Sequence, residues 1–299
     1  MIHDDRICAL GEGALWHPTR NQFFWFDILG QKLMSQDASG PRDWQFDRIV
    51  SAAGWVSQDE LLIAGERNLF RFNLTTGAQT PVAALEADKP QNRPNDGRAD
   101  RQGGFWIGTM GKQAENGAGA IYRFYKGEVR KLFDRISIPN AICFTPDGKT
   151  AHFADSVQRQ VLRLRLDAEG WPLGTPEVFV DFQGGGAEPD GAVVDAAGVL
   201  WIAEWGAGRV SAFAPDAALL RRVDLDLAPH STCPGFGGPD LTTLFVTSAT
   251  QGLSAQALLA QPNSGKTFRF DTIAKGQPEA QVLLSSGTAP VTKVFLSDS

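Results

Sequence analysis

One short pattern returns along the chain at intervals of roughly forty to fifty residues, and it limits the fold more than any other feature. Leu15–Phe23, Arg98–Trp106, Cys143–Ala151 and Val193–Trp201 align without gaps. Each reads as a strand, a tight turn rich in Asp, Pro and Gly, and an aromatic-rich strand. Two weaker copies fit at Trp55–Ile63, where the turn is shorter, and at Gly237–Val246, with Pro239 and Asp240 in the turn. Elsewhere short apolar runs punctuated by Gly, Asp, Pro and Asn also read as strands and turns. Helical periodicity is confined to Ser254–Leu259.

Six copies of this length account for nearly all of the 299 residues. The expectation is an all-β fold, a six-bladed β-propeller of four-stranded antiparallel blades around a central channel. Closing the ring removes the exposed edges of a long open sheet. A pair of β-sandwiches is the alternative, but it leaves the common phase of the copies unexplained. Arg6–Leu10 is expected to donate a strand to the last blade and so close the ring. That blade is expected to span Gly237–Leu284, using Lys266–Phe270 and Ala280–Leu284. Residues 1–284 thus read as one propeller domain, and the tail 285–299 has no place in the repeat.

Composition narrows the function. Lys and Arg number 28 against 34 Asp and Glu, a net charge of -6, so there is no basic excess for a nucleic acid. The three cysteines, Cys8, Cys143 and Cys233, are far apart and form neither a disulfide framework nor a zinc ribbon. No apolar run approaches the roughly 20 residues of a membrane helix, and the polar, acidic N-terminus lacks signal-peptide chemistry. The expectation is a soluble cytoplasmic protein, a monomer or weak homo-oligomer, with no nucleic-acid or membrane partner.

The repeat also aligns one position around the ring. Five residues before each turn, at the start of the strand expected to line the channel, stand Glu12, Ala52, Asn95, Asn140, Asp190 and Cys233. Each Asn or Asp alone reads as a turn residue entering a strand. Together, two carboxylates and two carboxamides converging on one channel need something cationic between them. Oxygen donors suit one hard or borderline divalent ion: Ca²⁺, Mg²⁺, Mn²⁺, Fe²⁺ or Zn²⁺. Cys233 reads as a buried small hydrophobe, and His17 and His152 as structural. No GxSxG, HExxH or GxxxxGK[ST] motif is present, so any chemistry rests on the metal and a water.

From Leu10 to Leu284 the chain resembles the gluconolactonase/regucalcin (senescence marker protein) family of six-bladed propeller lactonases. The resemblance is carried by Leu10–Trp16, Asn92–Gly97, Trp106–Met110, Ile138–Asn140, Thr145–Gly148, Glu188–Gly191 and Phe236–Asp240, in order and correctly spaced. It implies hydrolysis of a sugar lactone, gluconolactone-like or pentonolactone, to the aldonic acid. Glu12, Asn140 and Asp190 would hold one divalent metal, and Arg93 and Asn95 would contact substrate. Asp190 is also the candidate base for the attacking water. In this chain Ala141 replaces the Gly usual after the Asn. Where some relatives place a substrate-binding acid, Gln113 falls by counting, with Glu115 close by. A calcium-dependent phosphotriesterase-like hydrolase and a non-catalytic calcium-binding propeller are the competing readings.

Overall fold

In the computed structural model, which describes residues 1–37 and 39–284, six four-stranded antiparallel sheets close into a ring. Blade 1 is β2 (Gly11–His17), β3 (Gln22–Asp27), β4 (Lys32–Asp37) and β5 (Gly40–Gln45) once β1 (Ile2–Asp4) is set aside. Blade 2 comprises β6 (Val50–Ser57), β7 (Glu60–Gly65), β8 (Asn68–Asn73) and β9 (Gln79–Ala84). Blade 3 comprises β10 (Asn92–Ala99), β11 (Phe105–Gly111), β12 (Gly119–Tyr125) and β13 (Glu128–Ile136). Blade 4 follows with β14 (Pro139–Phe144), β15 (Thr150–Asp155), β16 (Gln160–Leu166) and β17 (Pro172–Asp181). Blade 5 holds β18 (Glu188–Val194), β19 (Leu200–Trp205), β20 (Arg209–Phe213) and β21 (Leu219–Asp224). Blade 6 is β22 (Ser231–Gly237), β23 (Thr243–Ser248), β24 (Thr267–Phe270) and, on its outer side, β1. A short helix α1 (Ala255–Ala260), capped by Ser254, lies between β23 and β24, where the periodicity placed it.

The copies form as their residues dictate. In blades 3 and 5 the first strand ends in a turn held by its leading Asp: Asp100 Oδ1 accepts the amides of Gln102 and Gly104, and Asp195 Oδ1 those of Ala197 and Val199. The aromatic strand that follows buries its large rings between blades. Trp106 and Trp201, at the same place in β11 and β19, meet Phe144 and Phe236 of the next blade edge-on. Six buried clusters result, one at each seam between neighbouring blades.

Two expectations about the ring's closure are corrected. The outer strand of blade 6 is Ile2–Asp4, paired with Phe268 and Thr267, and not Arg6–Leu10; Leu10 contributes one lone bridge to Ala249. Ala280–Leu284 joins no blade. Residues 271–284 instead run as an irregular strap across the turn ends of the innermost strands. Gly276 N donates to Leu241 O, Trp55 Nε1 to Glu279 O, Val282 N to Trp55 O and Leu283 N to Gly103 O. Val282 sits on Gly54, where a Cβ would lie 2.4 Å from its methyl. Arg98 and Glu279 form a buried ion pair where the strap crosses the axis. The tail 285–299 lies outside the described residues.

Candidate functional site

The six aligned positions all fall on first strands, and each first strand breaks register there. The shifts lie at Glu12/Leu15, Val50/Ala52, Pro94/Gly97, Asn140/Cys143, Pro189/Ala192 and Ser231/Pro234. A bulge re-aims side chains off the regular alternation, so the repeat carries a repeated device for presenting one residue. Gly13, just past Glu12, has φ +61, and a Cβ there would come within 2.4 Å of Ser51 O. Glycine is therefore required for blade 1 to approach blade 2 beside Glu12.

The polar residues meet at the end of the channel opposite the strap. Arg93 Nη1 donates to Asn95 Oδ1 (2.8 Å) and Pro94 O (2.9 Å). Asn95 Nδ2 donates to Asn140 Oδ1 (3.0 Å) and Pro139 O (2.9 Å). Asn140 Nδ2 donates to Ser156 Oγ (2.8 Å), whose hydroxyl donates in turn to Pro189 O (2.6 Å), the residue before Asp190. The carboxyls of Glu12 and Asp190 lie close enough to shift each other's ionisation, and Glu12 Oε2 accepts Gly13 N. All six side chains are buried.

Electrostatically the cluster is anionic and short of cations. Burial, then Asp96, pushes Glu12 up to about 8. Burial, then Glu12, holds Asp190 well above the carboxylate range. Two carboxyls this close share a proton because both cannot ionise side by side. Arg93 is lowered to about 10 by burial, against the pull of Glu12 and Asp190.

Asp96 belongs to this cluster and was missed. Its Oδ2 accepts Ile142 N at 2.8 Å, and burial raises it to about 6. The signal was one position further around the ring. After the aligned residues stand Gly13, Ala53, Asp96, Ala141, Gly191 and Pro234, and Asp96 is the one charge among small or apolar neighbours. Ser156, which links Asn140 to the Asp190 strand, lies on the single-turn 3₁₀ helix after β15 and carries no pattern of its own.

Gln113 and Glu115 are not brought into the cluster. They lie exposed on the loop between β11 and β12, where Gln113 N donates to Glu115 Oε2 at 3.1 Å. Among the described residues neither hydrogen-bonds to Arg93, Asn95, Glu12, Asn140 or Asp190. Lys112 N, opening that loop, bonds Gln91 O beside Arg93's strand, which puts the loop at the mouth's rim. Trp205 stacks on His230 with centroids 4.0 Å apart and packs against the blade 1–2 core. His17 and His152 are buried, and burial lowers each to about 4. Clefts of about 650 and 690 Å³ lie on outer blade edges, around Thr145–His152–Phe179 and Arg48–Pro81, and include none of these site residues.

A divalent cation fits this donor set. Two buried carboxylates and the Asn140 amide oxygen are all hard oxygen donors, and a cation would relieve the shared-proton repulsion. No three His, Cys, Asp or Glu side chains among the described residues cluster as ligands, so Asn140 would have to be the third.

Comparison with known proteins agrees with this architecture. Residues 10–250 match the model of the SMP-30/Gluconolactonase/LRE-like region. A Rhizobium meliloti protein provisionally named a sugar lactone lactonase is 39% identical over 90% of this chain and 92% of its own. An L-arabinolactonase of Azospirillum brasilense is 33% identical over 91% and 92%. The crystal structure of a calcium-binding protein, regucalcin, from Agrobacterium tumefaciens superposes with a TM-score of 0.92 at 40% identity, over 95% of this chain and 97% of that one. The chain belongs to the SMP-30/gluconolactonase/LRE-like family.

Proposed function

We propose that the chain opens a sugar lactone to its aldonic acid at the axial site, with one divalent cation held by Glu12, Asp190 and Asn140. That it is a carboxylic-ester hydrolase of the lactonase kind follows from its family and its relatives' names. The observation carrying the site assignment is the burial of Glu12 and Asp190 within each other's electrostatic reach, with Arg93 and Asn140 buried beside them. An all-oxygen donor set favours Ca²⁺, Mg²⁺ or Mn²⁺ over Zn²⁺, which prefers nitrogen and sulfur. When bound, the cation supplies Lewis-acid polarisation of the lactone carbonyl.

The residues supply the rest. Asp190 takes a proton from the attacking water as its oxygen adds to the carbonyl carbon. The ring C–O bond then breaks, and the proton passes to the departing ring oxygen, leaving a hydroxyl and the aldonic acid. Arg93 hydrogen-bonds within the protein through Nη1, and no hydrogen bond among the described residues uses its Nε or Nη2. That free edge of the planar fork suits two neighbouring sugar hydroxyls. Asn95 orients Asn140 through its amide, and Gln113 and Glu115 at the rim would meet the far end of a longer polyol.

A coupled lactone-opening assay with a panel of aldono-lactones, run with and without EDTA, tests this. Chelation should abolish turnover and one divalent ion should restore it. Turnover that survives full chelation would overturn the metal role. A stoichiometric cation with no lactone opened would favour the non-catalytic calcium-binding reading, and organophosphate cleavage the phosphotriesterase one.

A further inference from the structure

The innermost strands of neighbouring blades share no ladder, since every sheet is complete within its own blade. The spacing of Asn140 on β14 from Asp190 on β18 therefore depends on side chains that bridge the two. Near the site this is the Ser156 hydroxyl. At the other end it is the strap. Gln277 Nε2 donates to Phe144 O and Val194 O, 2.8 Å each. These carbonyls stand at matching places, each four residues past its candidate ligand (144 − 140 and 194 − 190). Glu279, two residues on, pairs with Arg98 Nη1, while Arg98 Nη2 reaches Ala192 O in the bulge that carries Asp190. From the same strand, Asp96 holds Ile142 N in the bulge that carries Asn140. Arg101 fastens the strap further, donating to Pro278 O at 2.7 Å and to the Gln277 side chain.

We propose that the strap is a positioning element for the axial site. Gln277 fixes the gap between β14 and β18, and Glu279 sets Arg98 against the blade 5 bulge, so that Asn140 and Asp190 are presented at one spacing. This rests on the site reading above. Reacting geometry tolerates errors well under an ångström, and a displacement of about 1 Å can cost on the order of a hundredfold in rate. The strap also closes the channel's turn end, so water, cation, lactone and product share the opposite mouth.

The test is Gln277→Ala in the full chain, with Glu279→Gln as a second variant that keeps volume. Hydrogen exchange on the cation-free protein reads the positioning without any turnover. The expected result is exchange faster by roughly tenfold in 139–144 and 188–194, with 11–17 unchanged. For the preferred lactone, kcat should fall by roughly fivefold or more with KM held within about twofold, the pattern of misplaced groups rather than lost substrate contacts. Exchange that is unchanged in both segments, or raised equally in all blades, would overturn the proposal. So would altered exchange with wild-type kcat, which would leave the strap a purely structural seal. If the wild-type protein opened no lactone, the lactonase reading would fail by itself, and the exchange pattern would still decide whether the strap fixes the two strands.

Discussion

The two ends of the central channel bury charge in opposite ways. At the strap end Arg98 meets Glu279, and nearby Arg123 meets Asp100 with both side chains fully buried. Burial opposes the charge on Arg98, but Glu279 more than restores it, so the guanidinium is held above its ordinary range. At the open end Glu12 and Asp190 face one guanidinium, Arg93, while Asp96 lies within reach of Arg98, and all three carboxyls are pushed up. A buried pair that matches its own charges offers no net charge to a ligand, whatever its desolvation costs. A buried excess of anions is unfinished, and only a proton or a cation can complete it. One ring of innermost strands thus carries a seal at one end and a binding site at the other.

The largest effect should come from deepening that asymmetry's loss. Asp190→Asn keeps the side-chain size and leaves Glu12 as the only carboxylate among the proposed ligands. Cation affinity by titration calorimetry, and lactone turnover, should fall by at least about a hundredfold, roughly 3 kcal/mol at about 1.4 kcal/mol per tenfold. Wild-type affinity together with wild-type turnover would reduce Asp190 to a turn residue.

Substrate contacts come next. Arg93→Ala should lower kcat/KM for polyhydroxylated lactones by roughly tenfold, the loss of one or two oriented polar contacts. Cation stoichiometry should stay near one, and a lactone without hydroxyls should suffer much less. Asn95→Ala should differ, because Asn95 also holds Asn140 Oδ1; it should weaken cation binding as well. Equal losses on both lactones for Arg93→Ala would point to a general electrostatic effect and away from recognition.

The open end's site was legible because the repeat fixes a phase. The six aligned copies put Glu12, Asn140 and Asp190 at one equivalent position. The strap was not legible, because Gln281–Leu284 has the apolar β-forming composition of a strand while its partners are single carbonyls and amides of different blades. Ile2–Asp4 was missed for a related reason: three residues containing His3 and Asp4 carry no alternation to read, and closing the ring selects them. Asp96 stands one residue past the aligned Asn95 and outside the aligned position itself. Its role appears only when Ile142 of the next blade comes within reach.

Acidity should separate the ends further. Without cation, the open-end carboxyls have folded pKa values above their unfolded ones. The stability they contribute is present below about pH 4 and is lost as pH rises through about 6 for Asp96 and about 8 for Glu12. His17 and His152 act in the other direction: lowered from 6.5 to about 4, they contribute stability above pH 6.5 that is lost as pH falls through 4. A saturating cation abolishes the first loss and leaves the second untouched. At one fixed cation concentration the rise in Tm should therefore be larger at pH 8 than at pH 5, the whole rise being about 4 °C where that concentration is about a hundredfold over Kd. A rise independent of pH would mean that the cation does not replace protons at the open end.

The smallest effect concerns Ala141, between Asn140 and the amide that Asp96 holds. Its φ of 56° lies in the left-handed region, where an L-residue costs about 1–2 kcal/mol and glycine very little. The methyl is fully buried in the blade 4–5 core, and its removal forfeits about 0.8 kcal/mol. Ala141→Gly should therefore stabilise the protein by at most about 1 kcal/mol, a gain of at most about 2 °C in Tm. Cation affinity should be unchanged, because Asn95, Ser156 and Asp96 hold the bulge from outside. A clear loss of affinity with stability retained would show that packing of this methyl, as well as polar contacts, aims Asn140. The open end would then depend on its core as closely as the sealed end depends on its ion pair.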